Sequence, residues 1–340
     1  MNNRSCKPQS LRELSLLSSK MGKDSSIIQA TGGNTSLKEN GVLWVKASGM
    51  NLAKALEEDI FIPLDLAHAL DQMQHLDSDD ELSFLALGRD DLRPSIETSL
   101  HALMPHRVVL HSHPVNVIAL SLLRSSQRDL ENILKDIDWQ WIPYCRPGKP
   151  LARAIAEALA CKHADVVILA NHGLVVGGSS TEEASTLQDE VTKRLFQLPR
   201  SYPEASELEL TQWLYRVPRA RLPHASVIHS IATDPFSLEL AKRTPPYPDH
   251  VVFCGIHPWV INTNCSLPPK PEIAYGLIPG VGVILLESAS AATEAMLQAQ
   301  AEVYLRIPPG REVQLLSYSQ CIELLNWDAE KYRQAIGKEV

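Results

Sequence analysis

The stretch "RVVLHSHPVN", residues 107–116, sets a β-branched apolar run directly before two histidines one residue apart. Such a run reads as a strand. Alternate residues of a strand share a face at a backbone separation of about 7 Å, so His111 and His113 project together and Ser112 faces the other way. The pair either ends a strand by coincidence or supplies two ligands of a metal whose other ligands lie elsewhere in the chain.

A third histidine answers that description. "ADVVILANHGLVVGG" reads as two strands joined at Asn171, His172 and Gly173. The glycine there permits a sharp turn that aims His172 across the end of a sheet. Three imidazoles on strand ends can make a three-ligand site with one open position, zinc being the first candidate for a nitrogen-rich set. The plainer reading of His172 is a hairpin residue. Upstream, "RPSIETSLHALMPH" reads as a helix opened by Pro94 or Ser95, with Glu97 in its first turn. That carboxylate can act as metal ligand or as base. It can equally complement the helix dipole and pair with His101 four residues on.

Two glycine turns bracket a hairpin before this region. "NTSLK" and "VLWVKA" are strand-like, and Asn40-Gly41 between them is a tight-turn pair. The hairpin brings "TGGNTS", residues 31–36, near "KASG", residues 46–49, and backbone N–H groups of such loops can cradle an anion, with Lys38 and Lys46 adding positive charge.

The chain has 340 residues, 44% of them hydrophobic, enough to bury a full core in one large domain or a main domain plus a smaller one. A formal net charge of −8 argues against a nucleic-acid partner and favours a small molecule. "MNNRSCKPQS" lacks a signal-peptide core and no apolar run is long enough to span a membrane, so the sequence predicts a cytoplasmic protein. Cys6, Cys145, Cys161, Cys254, Cys265 and Cys321 form no CxxC pair, which points away from a disulfide framework or a sulfur-rich metal site. Mixed strands and helices predict an α/β layered fold with a central mixed, partly antiparallel sheet. A proline- and charge-rich zone from "PRSYPEASE" to "YRVPRARLPHAS" marks a border, giving domains at 10–204 and 205–340, the latter a smaller α/β extension.

In order and spacing together, "GGNTSLK", "VKASG", "RPSIETSLHAL", "VVLHSHP", "IPYCRPG" and "ANHGLVVGG" resemble the class II aldolase/adducin family over roughly residues 10 to 200. The resemblance implies a metal-dependent aldolase, with zinc the expected divalent ion, that cleaves a ketose phosphate or related sugar by retro-aldol chemistry through a metal-stabilised enediolate. It implies His111, His113 and His172 as metal ligands and Glu97 as the catalytic glutamate. Gly33, Asn34, Ser48, Gly49 and Ser95 would contact the substrate's phosphate, and Tyr144 falls where some aldolases donate a proton to the departing aldehyde oxygen. Ile96 departs from the family's usual second hydroxyl residue before the glutamate, which leaves an unphosphorylated or carboxylated substrate open. Epimerase, dehydratase, decarboxylase and non-catalytic adducin-like relatives are the alternatives. Family members are often tetramers, so a homo-oligomer is expected.

In the C-terminal part, "YPDHVVF", "LIPGVGVILLESASAATEA" and "YSQCIELLNWDAEKY" resemble the region that follows the aldolase half in long bacterial proteins that join a rhamnulose-1-phosphate aldolase-like half to a short-chain dehydrogenase half; in this chain the dehydrogenase half is expected to be missing. "PGVGVILL" does not supply a nicotinamide site, because the third glycine of a dinucleotide fingerprint would fall at Leu285.

Overall fold

The computed structural model describes residues 7–76, 82–88, 92–262, 268 and 270–337. The acidic residues 77–81, and Cys6 and Cys265, lie outside that set. The chain divides into two compact units, residues 1–117 with 127–196, and residues 118–126 with 197–340. The short segment 118–126 groups with the second unit through backbone pairing: Leu123 bridges Val313, and Gln314 N–H donates to the Leu122 carbonyl at 2.8 Å.

The first unit is built on α1 (Gln9–Gly22), β1 (Asn34–Glu39), β2 (Val42–Lys46), β3 (Phe61–Asp65), α2 (Leu66–Gln72), α3 (Thr98–Leu103), β4 (Val108–Ser112), the first turn of α4 (Val115–Ser121), all but the first residue of α5 (Ser126–Ile133), β5 (Trp139–Ile142), α6 (Lys149–Cys161), β6 (Val166–Leu169), β7 (Gly173–Gly178) and α7 (Thr181–Arg194). Its seven strands run in the order β3-β2-β1-β4-β7-β6-β5, antiparallel except for the parallel pair β5/β6. The mixed, partly antiparallel sheet read from the sequence is what forms. Asn40 and Gly41 both take positive φ, 52° and 78°, the conformation that a two-residue hairpin needs to match strand twist.

Strand alternation sorts the sheet's two faces. Val108 and Leu110 pack with Leu14 and Met21 of α1 and Ala184 of α7, while Val109 packs with Leu100 of α3, Leu151 and Ile155 of α6 and Val175 of β7. Ser112 follows the first set, its hydroxyl donating to Gln188 Oε1 of α7 at 3.1 Å. His111 therefore follows Val109 onto the α3 face. Ser180 caps α7, its side chain accepting the Glu183 N–H.

The second unit contains α8 (Glu207–Arg216), α9 (Ser230–Thr233), α10 (Pro235–Ala241), α11 (Pro248–Cys254), β8 (Trp259–Val260), β9 (Tyr275–Ile278), β10 (Gly282–Leu285), α12 (Ala291–Arg306), α13 (Tyr318–Asn326) and α14 (Asp328–Gly337). Its three strands run β10-β9-β8 and pack Ile278 and Ile284 against Leu210, Trp213 and Trp259. "PGVG" is the turn of the antiparallel β9/β10 hairpin, with Gly280 at φ 76°, so no helix follows it as a dinucleotide loop would require. Among the described residues no helix is long and apolar enough to cross a membrane.

Candidate metal centre

Register places one set of polar residues at a single end of the large sheet. Asn34 opposes His111 and Ser112 opposes Leu174, so the start of β1, the end of β4 and the start of β7 coincide. The end of β5 joins them, since Ala170 N–H donates to the Ile142 carbonyl at 2.9 Å; Tyr144 lies half-buried in the loop that leaves there. The bridge between Ala47 and Pro94, with Ser48 N–H donating to the Arg93 carbonyl at 2.8 Å, pins Ser95–Glu97 to the same end.

His111, His113 and His172 converge with all three ligand nitrogens within 4.8 Å of one another, and all three side chains are buried. His111 Nε2 and His113 Nε2 are 3.1 Å apart. Two nitrogens bound tetrahedrally at zinc–nitrogen lengths would be roughly 3.3 Å apart. His111 Nδ1 faces the Leu174 carbonyl at 3.0 Å, which fixes the proton on Nδ1 and leaves the Nε2 lone pair turned inward.

Glu97 closes the group. Its Oε1 is 3.0 Å from His172 Nε2 and its Oε2 is 3.3 Å from His111 Nε2. Burial alone would push this carboxyl up, but the positive charge of the His111 and His172 imidazoles outweighs it and holds the group well below the usual carboxylate range. Inward lone pairs facing an anion in a buried space demand positive charge between them, carried by protons on the imidazoles or by an ion. Glu97 Oε1 is buried with only the His172 ring against it, and three converging imidazole nitrogens beside a carboxylate make a donor set that fits a divalent metal. Nitrogen ligands with one carboxylate suit zinc and its transition-metal neighbours better than magnesium or calcium.

Two local features differ from the sequence reading. Glu97 is the residue before α3, at φ −105° and ψ 15°, with no capping bond, so its carboxylate serves the histidines and not the helix dipole. The sharp turn at His172 is taken by Asn171, at φ 54°, while Gly173 is small for a different reason: a Cβ there would stand 2.3 Å from the Ser112 carbonyl oxygen and 3.0 Å from the His113 ring.

Of the residues expected to hold an anion, Gly33 and Gly49 do take the left-handed conformation, at φ 63° and 79°. The Ser48 and Thr31 hydroxyls are buried without a hydrogen-bond partner. Asn34 and Ser95 are engaged internally, Asn34 Nδ2 donating to Glu97 Oε2 at 2.8 Å and to Ser95 Oγ at 3.2 Å. Lys46 Nζ donates to the carbonyls of Thr31 and Met50 at 2.7 and 2.8 Å, tying the two glycine loops together. Lys38 does not belong to this end: it reaches the carbonyls of Met104 and His106, before the start of β4 at the opposite end of the sheet.

His101, which sequence reasoning offered only as a partner for Glu97, instead turns to β1. Its two ring nitrogens meet Ser36 Oγ, at 2.7 Å, and Asn34 Oδ1, and burial together with nearby His111 holds its pKa well below the ordinary value, so the ring is neutral. The available signal was the alternation of polar Asn34 and Ser36 on one face of β1.

A family model described as the Class II Aldolase and Adducin N-terminal domain matches residues 12–196, more than half of the chain. The chain belongs to the class II aldolase and adducin family. Among curated relatives of this family member, "Uncharacterized oxidoreductase YuxG" of Bacillus subtilis (strain 168) is 35% identical over 189 residues, 52% of this chain but only 27% of that protein. The L-fuculose phosphate aldolase of Methanococcus vannielii is 26% identical over 166 residues, 47% of this chain and 80% of that one. Among solved structures, the N-terminal class II aldolase domain of a conserved Thermoplasma acidophilum protein is 26% identical, with a TM-score of 0.47, and covers 57% of this aldolase and adducin family member and 97% of its own chain.

Proposed function

We propose that the chain is a metal-dependent aldolase that cleaves a ketose phosphate or related sugar by retro-aldol chemistry, with residues 10–204 as the catalytic domain. The observation that carries this reading is the placement of Glu97 between His111 and His172, within 3.3 Å of both. His111, His113 and His172 would hold one divalent ion, zinc by preference. When bound, that ion supplies the positive charge that stabilises the enediolate left as the carbon–carbon bond breaks.

The remaining steps belong to the protein's own groups. The Glu97 carboxylate, kept ionised by its surroundings, takes up a proton and returns it to carbon. Asn34 and Ser95 hold that carboxylate in place by hydrogen bonds. In cleavage the substrate hydroxyl that becomes the aldehyde oxygen gives up the proton that Glu97 returns to carbon, with the Tyr144 hydroxyl positioned at that oxygen; in the reverse condensation Tyr144 donates a proton to it. Gly33, Asn34, Ser48, Gly49 and Ser95 form the anion cradle, in which the unpartnered Ser48 hydroxyl is the side chain best disposed to meet substrate. The protein works as a homo-oligomer in the cytoplasm.

A second reading keeps the site and changes the reaction to epimerisation, dehydration or decarboxylation of a sugar acid or sugar phosphate. The internal commitment of Asn34 and Ser95, together with Ile96, favours it by leaving fewer free donors for a phosphate. Product analysis of the metal-loaded protein with ketose phosphates and sugar acids separates the two. Two carbonyl fragments support the aldolase; carbon dioxide or an unbroken isomer overturns it. A protein that binds no metal at all would move the adducin-like interaction module to first place.

A further inference from the structure

Among the described residues, a second group of three metal-ligating side chains comes together, far from the first: His106, His163 and Asp165. His106 precedes β4 and Asp165 precedes β6, whereas His111 and His172 lie at or beyond the far ends of those strands. His106 and His111 are five residue steps apart along extended chain, roughly 17 Å at strand rise. The two groups are distinct sites at opposite ends of one sheet.

We propose that His106, His163 and Asp165 form a second, independent divalent transition-metal site of the zinc class. His106 Nε2 and His163 Nε2 each stand 2.8 Å from the same oxygen, Asp165 Oδ1, and the two rings are 5.6 Å apart. Two of the three groups are built into the sheet. The His106 ring lies on Gly177 of β7 so closely that a Cβ there would be 2.1 Å from its Nδ1, and its side chain is only 14% exposed. Asp165 is fixed by its own backbone, its carbonyl accepting from Gly177 N–H at 2.8 Å and its N–H donating to Asp138 O at 2.8 Å.

The third ligand, His163, is on the surface linker between α6 and β6 with its side chain 58% exposed, free to move out by the roughly half an ångström that admitting an ion between it and Asp165 requires. Two imidazoles and one carboxylate select zinc, nickel, copper or iron over magnesium and calcium, and the exposed side leaves positions for water. A bound ion would clip the loop before β4 to the loop before β6.

The rival is a hydrogen-bonded surface triad with no ion. The full-length protein, stripped with chelator and titrated with zinc alone, decides between them by equilibrium dialysis and elemental analysis. The expected result is two zinc ions per chain, falling to one in His163→Gln, which preserves a hydrogen-bond donor to Asp165 while removing the imidazole. Asp165→Asn should likewise lose one ion, and His172→Ala should lose the other while keeping this one. A wild-type chain whose one ion is lost in His172→Ala and kept in His163→Gln, or a His163→Gln chain that still binds two with affinity unchanged within twofold, overturns the proposal. The stoichiometry in His172→Ala reads the first site separately, so failure of one assignment is not mistaken for failure of the other.

Discussion

Glu97 Oε1 and His172 Nε2 stand 3.0 Å apart at the buried end of the sheet, a carboxylate against an imidazole that comes from the turn between β6 and β7. Replacing the acid with an amide of the same shape removes the proton carrier and leaves the three imidazoles. Glu97→Gln should therefore retain its metal and lose at least a hundredfold in kcat, the scale of a general acid or base. Metal analysis beside turnover checks this; full turnover with bound metal would dismiss the assignment.

His172→Ala removes one ligand without touching a strand, since His172 lies between β6 and β7. The protein should fold, with unchanged far-ultraviolet circular dichroism, and should no longer retain the ion at this end of the sheet through dialysis.

Asn34→Leu probes the group that holds Glu97 and His101 together. Its loss strips a hydrogen bond from a buried carboxylate and a buried ring nitrogen. A destabilisation of about 1–3 kcal/mol is expected by denaturant unfolding, with the metal still bound.

Gly173→Ala should be more harmful than its position at a strand start suggests. The added methyl would press on the Ser112 carbonyl and the His113 ring. Overpacking of this kind destabilises by about 1–3 kcal/mol, and the displaced ring should weaken metal affinity by roughly 10- to 100-fold. Alanine at the exposed turn glycine Gly280 should leave the metal untouched and serves as the control.

Lys38 gives a pH signature. Burial pushes its ammonium down to about 7, whereas in the unfolded chain it titrates near 10.4. Between those values the unfolded chain holds one more proton than the folded chain, so this group makes stability rise with pH from about 7 upward. The slope is at most about 1.4 kcal/mol per pH unit. The difference in unfolding free energy between wild type and Lys38→Met, followed from pH 7 to 8.5, isolates it: a flat difference would show that Lys38 stays charged when folded.

Much of the site was legible because it follows local rules. The two-residue period of "VVLHSH" put His111 on one face, and Asn40-Gly41 gave the hairpin that brings the glycine loops together. What was not legible depended on partners distant in the chain. Whether Lys38 joins the anion loops or the opposite end of the sheet is decided by where α3 ends, at the Met104 carbonyl. Whether Gly173 is needed for its dihedral angles or for its size is decided by β4, its neighbour only in the folded sheet. His163 and Asp165 meet His106 across a gap that no spacing motif spans.

The strand that carries His111 and the strand that follows His172 are neighbours in the sheet, yet 63 residues of chain separate His111 from Leu174. Closing that long a loop is a late and slow event in folding, because the entropy of closure must be met before any non-local contact rewards it. The three imidazoles consequently become one site only when the central pair of strands has zipped. A chain that holds the ion there has completed its sheet, which makes metal retention a direct count of correctly folded molecules.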